Sequence, residues 1–376
     1  MKILLLTDGI FPFVMGGMQK HSYYLVKYLE KEGVVVTLAH CVYAPNQLPT
    51  TDEVQQKTGL IISQIDGFNF PTSSAFPGHY LYNSWRYSQL LWKYYQSTIH
   101  QYDLVYAQGF TAWAWNQNKV KAPIVVNLHG LEMFQTPYSN HDKLEKFLLQ
   151  IPAKSILKNA RFAQSLGGHL TSLVRPFNSN VFDCGIGIAD SWYRNELNSG
   201  ANNKPIKFVF VGRYEYRKGL DVLSEAILPL LDKYSFSIDF IGPIPEHKQL
   251  MNHQLKYWGS VSDESQIQSI LDTADVLLVP SRSEGMPTVI LEAMARGLAV
   301  IATDVGAVKD LVSPENGSLI QAGQVYELKT AMLSYINGDS ETLMSQKRAS
   351  QAKVKSYLWS QMIHQYIQHF NKFLTA

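Results

Sequence analysis

Short apolar runs alternate with helix-length segments along this chain, and the alternation starts twice, first near residue 2 and again near residue 206. Runs that are apolar without interruption need cover on both faces, which is typical of strands in a parallel sheet with helices on each side. The sequence therefore predicts an α/β protein with two doubly wound, Rossmann-like domains in tandem. The predicted strands lie at 2–8, 34–40, 60–66, 104–109, 124–129 and 161–166, and then at 206–212, 236–242, 275–280 and 299–304.

A polar segment separates the two series of strands. Residues 195–205, "NELNSGANNKP", are rich in Asn, Gly and Ser and end in Pro, which indicates a linker. The sequence thus predicts a first domain over 1–194, a second over 206–355 and a terminal segment over 356–376. The terminal segment carries one apolar stripe at helical spacing, so we expect an amphipathic helix that packs against the body of the protein.

Charge and cysteine content limit the classes of function. The net charge of +2 gives no reason to expect a nucleic-acid partner, and two cysteines are too few for a disulfide framework and suit a reducing cytosol. No apolar stretch is long enough to span a bilayer. We therefore expect a cytoplasmic protein, with peripheral contact at the inner face of the membrane left open. Residues 1–180 hold 15 basic and 10 acidic residues, a net charge of +5. This excess indicates either an anionic partner or a chance uneven distribution of charged residues.

Two glycines follow the first predicted strand. Gly16 and Gly17 precede a helix that is predicted to begin near Gln19. A glycine pair in this place lets backbone N–H groups approach a phosphate, and the helix dipole favours the anion. The spacing matches neither the dinucleotide fingerprint nor the P-loop, and a simple turn is the alternative interpretation.

Three cations follow the strand at 206–212. Arg213, Arg217 and Lys218 stand before a helix that is predicted to open near Gly219. Ligands bind beyond the carboxyl ends of strands in doubly wound sheets, and arginine forks with a lysine point charge suit a diphosphate. The alternative is a solvated basic loop.

Two carboxylates accompany the strand at 275–280. Glu284 is predicted to lie in the loop, and Glu292 about a turn and a half into the following helix. Such carboxylates can accept hydrogen bonds from the vicinal hydroxyls of ribose and hexose rings. The alternatives are a capping bond for Glu284 and an exposed helix position for Glu292. The backbone N–H groups that could face a ligand belong to Gly285, Met286 and Thr288, whereas Pro287 has none.

These segments, in this order, resemble the retaining glycosyltransferases of family 4, which have the GT-B fold. The stretch "GRYEYRKG" (212–219) is similar to that family's G-R-x-x-x-x-K-G, and "EGMPTVILE" (284–292) is similar to its E-x7-E block. The segments "ENGSLI" (315–320) and "YLWSQMIHQYI" (357–367) also resemble the family. The likeness covers nearly the whole chain and is specific in its second half.

The first half of the chain resembles the family more loosely. Its likeness rests on "GGMQKHSYYLVKYLEKEGVVVTL" (16–38) and "VVNLHG" (125–130). Two positions depart from the family pattern. The stretch "CGIG" (184–187) stands where the family often has Asn-Gly-Val-Asp, and Pro287 stands where it often has a second glycine.

The resemblance implies two Rossmann-like domains that face a central cleft, with the acceptor on the side of 1–194 and the nucleotide sugar bound by 206–355. The helix at 356–376 would cross back to the first domain. By position, Arg213 and Lys218 would bind the donor diphosphate. Glu284 would hold hydroxyls of the donor sugar, and Glu292 would hold the ribose. Gly16 and Gly17 would close over the diphosphate, and His129 would sit near the transferred sugar. Gly285, Met286, Pro287 and Thr288 complete the implied donor-binding set.

The function so implied is transfer of a hexose-type sugar, with retention of configuration, from a UDP- or GDP-sugar to a glycan or lipid-linked acceptor. It would serve surface polysaccharide or glycolipid synthesis. No D-x-D occurs in the chain, so we expect neither a metal ion nor another cofactor. Two alternatives remain open, a nucleotide-sugar epimerase on the same fold and a non-catalytic subunit that binds sugar nucleotides.

Overall fold

A computed structural model of the chain describes residues 1–43, 46–61, 64–72, 78–117, 123–197 and 205–375. It contains two compact units. Unit 1 comprises Met1–Gly187 and Trp359–Ala376, and unit 2 comprises Ile188–Leu358. Most of the predicted linker at 195–205 lies outside the described residues.

Strands and helices alternate through both units. The strands are β1 (Lys2–Leu6), β2 (Val35–Val42), β3 (Gln64–Asn69), β4 (Leu104–Gln108), β5 (Ile124–Asn127), β6 (Phe162–Ser165), β7 (Val181–Asp183), β8 (Ile206–Val211), β9 (Phe236–Ile241), β10 (Leu255–Tyr257), β11 (Val276–Val279), β12 (Ala299–Thr303) and β13 (Gly317–Ile320). The helices are α1 (Gly17–Lys31), α2 (Thr51–Thr58), α3 (His79–Tyr95), α4 (Trp113–Gln117), α5 (Asn140–Asn159), α6 (His169–Val174), α7 (Leu220–Ile227), α8 (Glu264–Leu271), α9 (Thr288–Ala295), α10 (Val308–Leu311), α11 (Val325–Ile336), α12 (Ser340–Val354) and α13 (Trp359–Thr375).

Unit 1 contains a parallel sheet of seven strands in the order β3-β2-β1-β4-β5-β6-β7. Strands β4, β5 and β6 are buried along their whole length, as expected of strands with helices on both faces. All six predicted strands of the first series are present. The third strand, β3, begins at Gln64 and so lies later than the predicted 60–66. Residues 62–63 are not among the residues that the structure describes. Strand β7 was not predicted, because it has three residues and ends in a charged one.

The terminal helix α13 packs within unit 1. Trp359 at its start is fully buried and stacks on Tyr24 and Tyr28 of α1. A Cβ atom at Gly187 would lie 2.7 Å from the Trp359 ring, so only glycine leaves room for the indole there. The stretch 184–187, which departs from the family pattern, is thus shaped by its contact with α13.

Unit 2 contains a second parallel sheet, of six strands in the order β10-β9-β8-β11-β12-β13. All four predicted strands of the second series are present. The edge strands β10 and β13 were not predicted, since they are short and partly exposed. The prediction of two Rossmann-like α/β sheets is confirmed.

Candidate functional site

Two loops meet at the carboxyl edge of the sheet in unit 2. One follows β8 and the other follows β11, and these strands are neighbours in the sheet. Gly219 has a φ of +67°, and a Cβ atom there would lie 2.0 Å from the carbonyl oxygen of Pro280. The Arg282 N–H donates to the Arg217 carbonyl at 2.7 Å. Glycine is therefore required at 219 both for its backbone conformation and for the close approach of the two loops.

Glu284 is a buried carboxylate where these loops meet. It is 5% exposed, and its Oε1 accepts hydrogen bonds from Lys218 Nζ at 2.6 Å and Ser281 Oγ at 2.7 Å. Arg217 Nη1 lies 3.6 Å from Oε2. Burying a carboxylate costs free energy unless charged and hydrogen-bonding partners compensate, and this one has both. Lys218 and Glu284, predicted separately to bind phosphate and sugar, are thus in direct contact.

A second carboxylate, Glu215 in the loop after β8, was missed by the sequence analysis. Its Oε1 lies 2.9 Å from Arg213 Nε, and its Oε2 lies 2.7 Å from Arg217 Nε. The Arg213 side chain is 69% exposed, so this ion pair contributes little to stability and can be exchanged for another anion. The loop after β8 therefore holds one carboxylate between its cations rather than three cations alone.

Arg282 braces the two loops and was also not singled out from the sequence. It makes a two-pronged ion pair with Asp221 of α7, with both N–O distances at 2.7 Å, and it donates to the Tyr216 carbonyl. The hydrogen bond from Arg282 lowers the pKa of Asp221 below its ordinary value. Such a planar fork fixes orientation as well as distance. The prediction that Arg217 and Lys218 precede a helix opening near Gly219 agrees with the start of α7.

The loop before α9 is held by a second close approach of backbone atoms. A Cβ atom at Gly306 would lie 2.2 Å from the Glu284 carbonyl oxygen, and Ala307 N–H donates to the Gly285 carbonyl at 2.8 Å. Met286 is buried, and Pro287 occupies the position before a helix that begins at Thr288. Glu292 is the fifth residue of α9, about a turn and a half into the helix as predicted, and it is half-buried.

The glycine pair in unit 1 has two different environments. Gly16 precedes α1, and a Cβ atom there would lie 2.1 Å from Oε1 of Gln19, whereas a Cβ atom at Gly17 would meet nothing within 4 Å. Gln19 Nε2 donates to Asp8 Oδ1 at 2.8 Å. Burial raises the pKa of Asp8 to about 6, although the bond from Gln19 opposes that rise. Gly16 therefore lies against the end of the Gln19 side chain, whereas Gly17 faces open space.

His129 lies just beyond β5 in unit 1. Its φ is +56°, and its N–H donates to Asn127 Oδ1 at 2.8 Å. Its Nε2 is 3.3 Å from Oε1 of Gln108, at the end of β4. Burial lowers the pKa of His129 to about 3, so the ring is neutral at physiological pH. A left-handed conformation at a non-glycine residue is uncommon and concentrates at functional sites.

No cluster of three or more His, Cys, Asp or Glu side chains that could hold a metal ion occurs among the described residues. Arg213, Arg217 and Lys218, which lie against Glu215 and Glu284, are cations that unit 2 presents at the carboxyl edge of its sheet.

Two family models match the chain in succession. The model described as Glycosyltransferase Family 4 matches residues 15–162, and the model described as Glycosyl transferases group 1 matches residues 205–337. The first match includes Gly16, Gly17 and His129, and the second includes Lys218 and Glu284. The chain belongs to the GT-B glycosyltransferases. The family to which the sequence motifs pointed is thereby confirmed.

Several solved structures share the fold. Sucrose-phosphate synthase from Thermosynechococcus elongatus is similar with a TM-score of 0.78 and 17% identity, over 100% of this chain and 99% of that one. The lipopolysaccharide outer core galactosyltransferase WaaB is similar with a TM-score of 0.74 and 15% identity, over 99% of this chain and 100% of that one. At these identities the likeness shows the fold.

Two curated relatives are similar in sequence to part of this glycosyltransferase. TuaC of Bacillus subtilis, which carries the provisional name of a teichuronic acid biosynthesis glycosyltransferase, is 29% identical over 253 residues. That match covers 64% of this chain and 61% of TuaC. The sulfoquinovosyl transferase SQD2 of Arabidopsis thaliana is 27% identical over 172 residues, which is 44% of this chain and 33% of that protein. The chain thus spans about three fifths of one relative and a third of the other.

Proposed function

We propose that this protein transfers a hexose-type sugar from a UDP- or GDP-sugar to a hydroxyl of a glycan or lipid-linked acceptor, with retention of configuration. The observation that carries the proposal is the contact between Lys218 and Glu284, 2.6 Å apart at the carboxyl edge of the sheet in unit 2. A cation that can bind phosphate and a carboxylate that can bind sugar hydroxyls are held together there. A nucleoside diphosphate sugar presents these two kinds of group side by side.

The proposed reaction exchanges one bond at the anomeric carbon for another. The bond from that carbon to the diphosphate oxygen breaks, and a bond to the acceptor oxygen forms on the same face. The acceptor proton passes to an oxygen of the departing diphosphate. In such a reaction the protein positions the partners and stabilises the charge that develops on the diphosphate, which is the part assigned to Lys218 and Arg213.

The remaining residues are assigned to the donor as follows. Glu284 binds hydroxyls of the sugar, and Glu292 binds the ribose. The loop residues Gly285, Met286, Pro287 and Thr288 lie between them in the chain and shape the donor site. In unit 1, Gly16 and Gly17 contribute to diphosphate binding, and His129 acts on the transferred sugar.

The acceptor class is proposed from the relatives. TuaC is named for teichuronic acid biosynthesis and WaaB for the lipopolysaccharide outer core, and one solved structure of the same fold, HepE of Anabaena, was determined with UDP and glucose. These names support a role for this protein in the synthesis of a surface polysaccharide or glycolipid, with a uridine nucleotide as one candidate donor.

A panel of UDP-, GDP- and ADP-sugars tests the proposal. The purified protein is titrated with each donor by calorimetry, and slow hydrolysis of each donor is followed without an acceptor. We expect donors with one of the three bases to bind. Among donors with that base, we expect the identity of the sugar to change the affinity only modestly. Absence of binding by every donor would refute the proposal, and isomerisation of a donor without acceptor would favour an epimerase.

Sugar transfer should not require a divalent metal ion. The charges that neutralise the diphosphate in this proposal are Lys218 and Arg213, and the chain contains no D-x-D. We expect the transfer rate to be unchanged in excess EDTA. Complete loss of transfer in EDTA, restored by Mg²⁺ or Mn²⁺, would contradict the assignment of these cations.

Contact with an anionic membrane is proposed for one face of unit 1. Among the described helices, none has the length and apolar content that a bilayer crossing requires. Helix α4 packs against both α3 and α5, and these two helices expose apolar side chains next to Arg86, Lys93, Lys143 and Lys158. Exposed apolar residues with basic neighbours suit an anionic lipid surface. The apolar side chains are Tyr82, Trp85 and Leu90 on α3, and Leu144, Phe147 and Ile151 on α5.

Vesicle sedimentation tests this face. We expect the protein to sediment with phosphatidylglycerol vesicles at low ionic strength and to be released as salt is raised, because salt screens the lysine and arginine charges. Replacing Phe147 and Ile151 together by Ser should weaken sedimentation, whereas Tyr326→Ser, at a 72% exposed position of unit 2, should not. No sedimentation at low ionic strength would show that the protein does not bind anionic membranes through this face.

A further inference from the structure

A series of hydrogen bonds, buried except at its His129 end, connects His129 to the terminal helix of unit 1. It runs from His129 through Gln108 and His21 to Tyr366 of α13, with donor–acceptor distances of 3.3, 3.0 and 2.9 Å. Gln108 and Tyr366 are fully buried, and His21 is 3% exposed. Because Gln108, His21 and Tyr366 are closed to water, the proton of each is constrained by its hydrogen-bonded neighbours.

The direction of each hydrogen bond in this series, from donor to acceptor, is set at the Tyr366 end. Gln164 lies 2.7 Å from the Cys184 carbonyl, which can only accept, so this amide atom must be the nitrogen. The same nitrogen lies 2.8 Å from the Tyr366 hydroxyl and donates its second hydrogen there. The Tyr366 hydroxyl in turn donates its single hydrogen to the Gly185 carbonyl at 2.9 Å. Towards His21, the hydroxyl oxygen can therefore only accept.

The proton on His21 follows from this constraint. Its Nε2 must carry the hydrogen that it donates to Tyr366. Burial, with a smaller contribution from neighbouring His129, lowers the pKa of His21 well below its ordinary value, so the ring has no second proton. Nδ1 of His21 is then an acceptor, and it receives its hydrogen bond from Nε2 of Gln108 at 3.0 Å.

The proton on His129 follows in the same way. With its amide nitrogen facing His21, Gln108 turns its Oε1 to Ser22 Oγ at 2.7 Å and to His129 Nε2 at 3.3 Å. An amide oxygen accepts, so Nε2 of His129 must carry the hydrogen. A neutral imidazole has only one, which leaves Nδ1 of His129 unprotonated.

We propose that Tyr366 is a positioning residue that, through His21 and Gln108, keeps the proton of His129 on Nε2 and leaves Nδ1 to accept a hydrogen bond from a hydroxyl of the transferred sugar. The proposal rests on the role given to His129 in the proposed function. It gives the terminal helix a part in the chemistry that its packing alone does not require.

Nitrogen NMR of protein labelled with ¹⁵N-histidine reads the proton positions directly and needs no substrate. Two-bond ¹H–¹⁵N spectra distinguish Nε2–H from Nδ1–H rings, and His129→Asn and His21→Asn variants assign the signals. We expect neutral Nε2–H rings for both residues in the wild-type protein. A wild-type His129 that carries its proton on Nδ1 would overturn the proposal.

Tyr366→Phe tests the direction of the coupling. Loss of the hydroxyl removes the acceptor for His21 Nε2–H. The proton then favours Nδ1 of His21, Gln108 turns its amide over, and His129 gains the Nδ1–H form. Tyr87→Phe is the matched control, because Tyr87 is equally buried and its hydroxyl also donates to a backbone carbonyl, that of Thr7. An unchanged His129 spectrum in folded Tyr366→Phe would overturn the proposal.

Two further measurements keep the test informative. If Tyr366→Phe does not fold, Gln108→Met interrupts the same series of hydrogen bonds, and His129 should then no longer be held in the Nε2–H form alone. In the transfer assay, Tyr366→Phe should lower kcat at least about tenfold, with the KM for the donor little changed. If Tyr366→Phe alters the His129 tautomer but the wild-type protein transfers no sugar, the proposed function alone is refuted. If the wild-type protein transfers sugar but Tyr366→Phe leaves the His129 tautomer unaltered, the role of Tyr366 alone is refuted.

Discussion

Lys218→Ala is expected to lower the rate of sugar transfer on the order of 10²-fold or more. The lysine supplies a positive charge where negative charge develops on the departing diphosphate, and removing one such group from a water-poor site typically costs this much. Lys218 Nζ is 2.6 Å from Glu284 Oε1. The variant therefore also removes the main partner of a buried carboxylate, and its stability must be measured alongside its rate.

Two controls separate lost chemistry from lost stability. Lys347, which is 4% exposed and lies 3.0 Å from Asp275, is a buried lysine of unit 2 outside the proposed site. Lys347→Ala should lower the thermal unfolding temperature without a comparable loss of turnover per folded molecule. The double variant Lys218→Ala, Glu284→Ala removes both members of the buried pair, so it should recover stability and remain inactive. Near-wild-type turnover in folded Lys218→Ala would refute the assignment.

Arg213→Ala should cause a similar loss of rate with almost no loss of stability. Its side chain is 69% exposed and pairs with Glu215, and exposed ion pairs contribute only about 0–1 kcal/mol. Glu215→Gln is the useful comparison, because it removes the partner and leaves the cation. Transfer by Glu215→Gln should remain close to wild type.

The second large effect concerns the division of work between Glu292 and Glu284. If Glu292 binds the ribose, Glu292→Ala should weaken binding of the free nucleoside diphosphate and of the intact donor by similar factors. If Glu284 binds the sugar, Glu284→Ala should leave binding of the nucleoside diphosphate nearly unchanged, and lower turnover and discrimination between sugars. Each lost hydrogen bond to a charged group should cost about 1.5–3 kcal/mol, roughly 10-fold to 150-fold in affinity.

Calorimetric titration of both variants with both ligands measures this division. Because Glu284 also holds Lys218, Glu284→Gln is included to keep the hydrogen bonds while removing the charge. Glu327→Ala, at a helix position of unit 2 whose carboxylate caps Gln321 N–H, is the control for loss of a glutamate elsewhere. Equal losses for both ligands in Glu284→Ala would show that the division is wrong.

The fold was largely predictable because apolar strand patterns are local. Uninterrupted runs such as those of β4 and β12 leave few alternatives to a buried parallel strand. Strand β7 could not be predicted in this way, because a strand of three residues with one buried side chain has no detectable period. Its pairing with β6 depends on the tertiary structure rather than on its own sequence.

The candidate site residues can be singled out one by one in the sequence, but their contacts with one another cannot. The motif around Arg213 and Lys218 and the two glutamates at 284 and 292 are visible in the sequence. The bond from Lys218 to Glu284 joins positions 66 residues apart, and nothing local indicates it. Glu215 was overlooked because it stands among cations, where its neighbours dominate the pattern. The glycine at 187 is explained only by the Trp359 ring that packs against it.

The configuration of the sugar that the protein releases tests the central proposal most directly. The donor that binds is incubated without an acceptor, and the first sugar released by slow hydrolysis is observed by proton NMR before it equilibrates. We predict release in the donor's own anomeric configuration by the wild-type protein, and no detectable release by Lys218→Ala. Release in the opposite configuration, or equal release by both proteins, would contradict a retaining glycosyltransferase whose donor diphosphate is stabilised by Lys218.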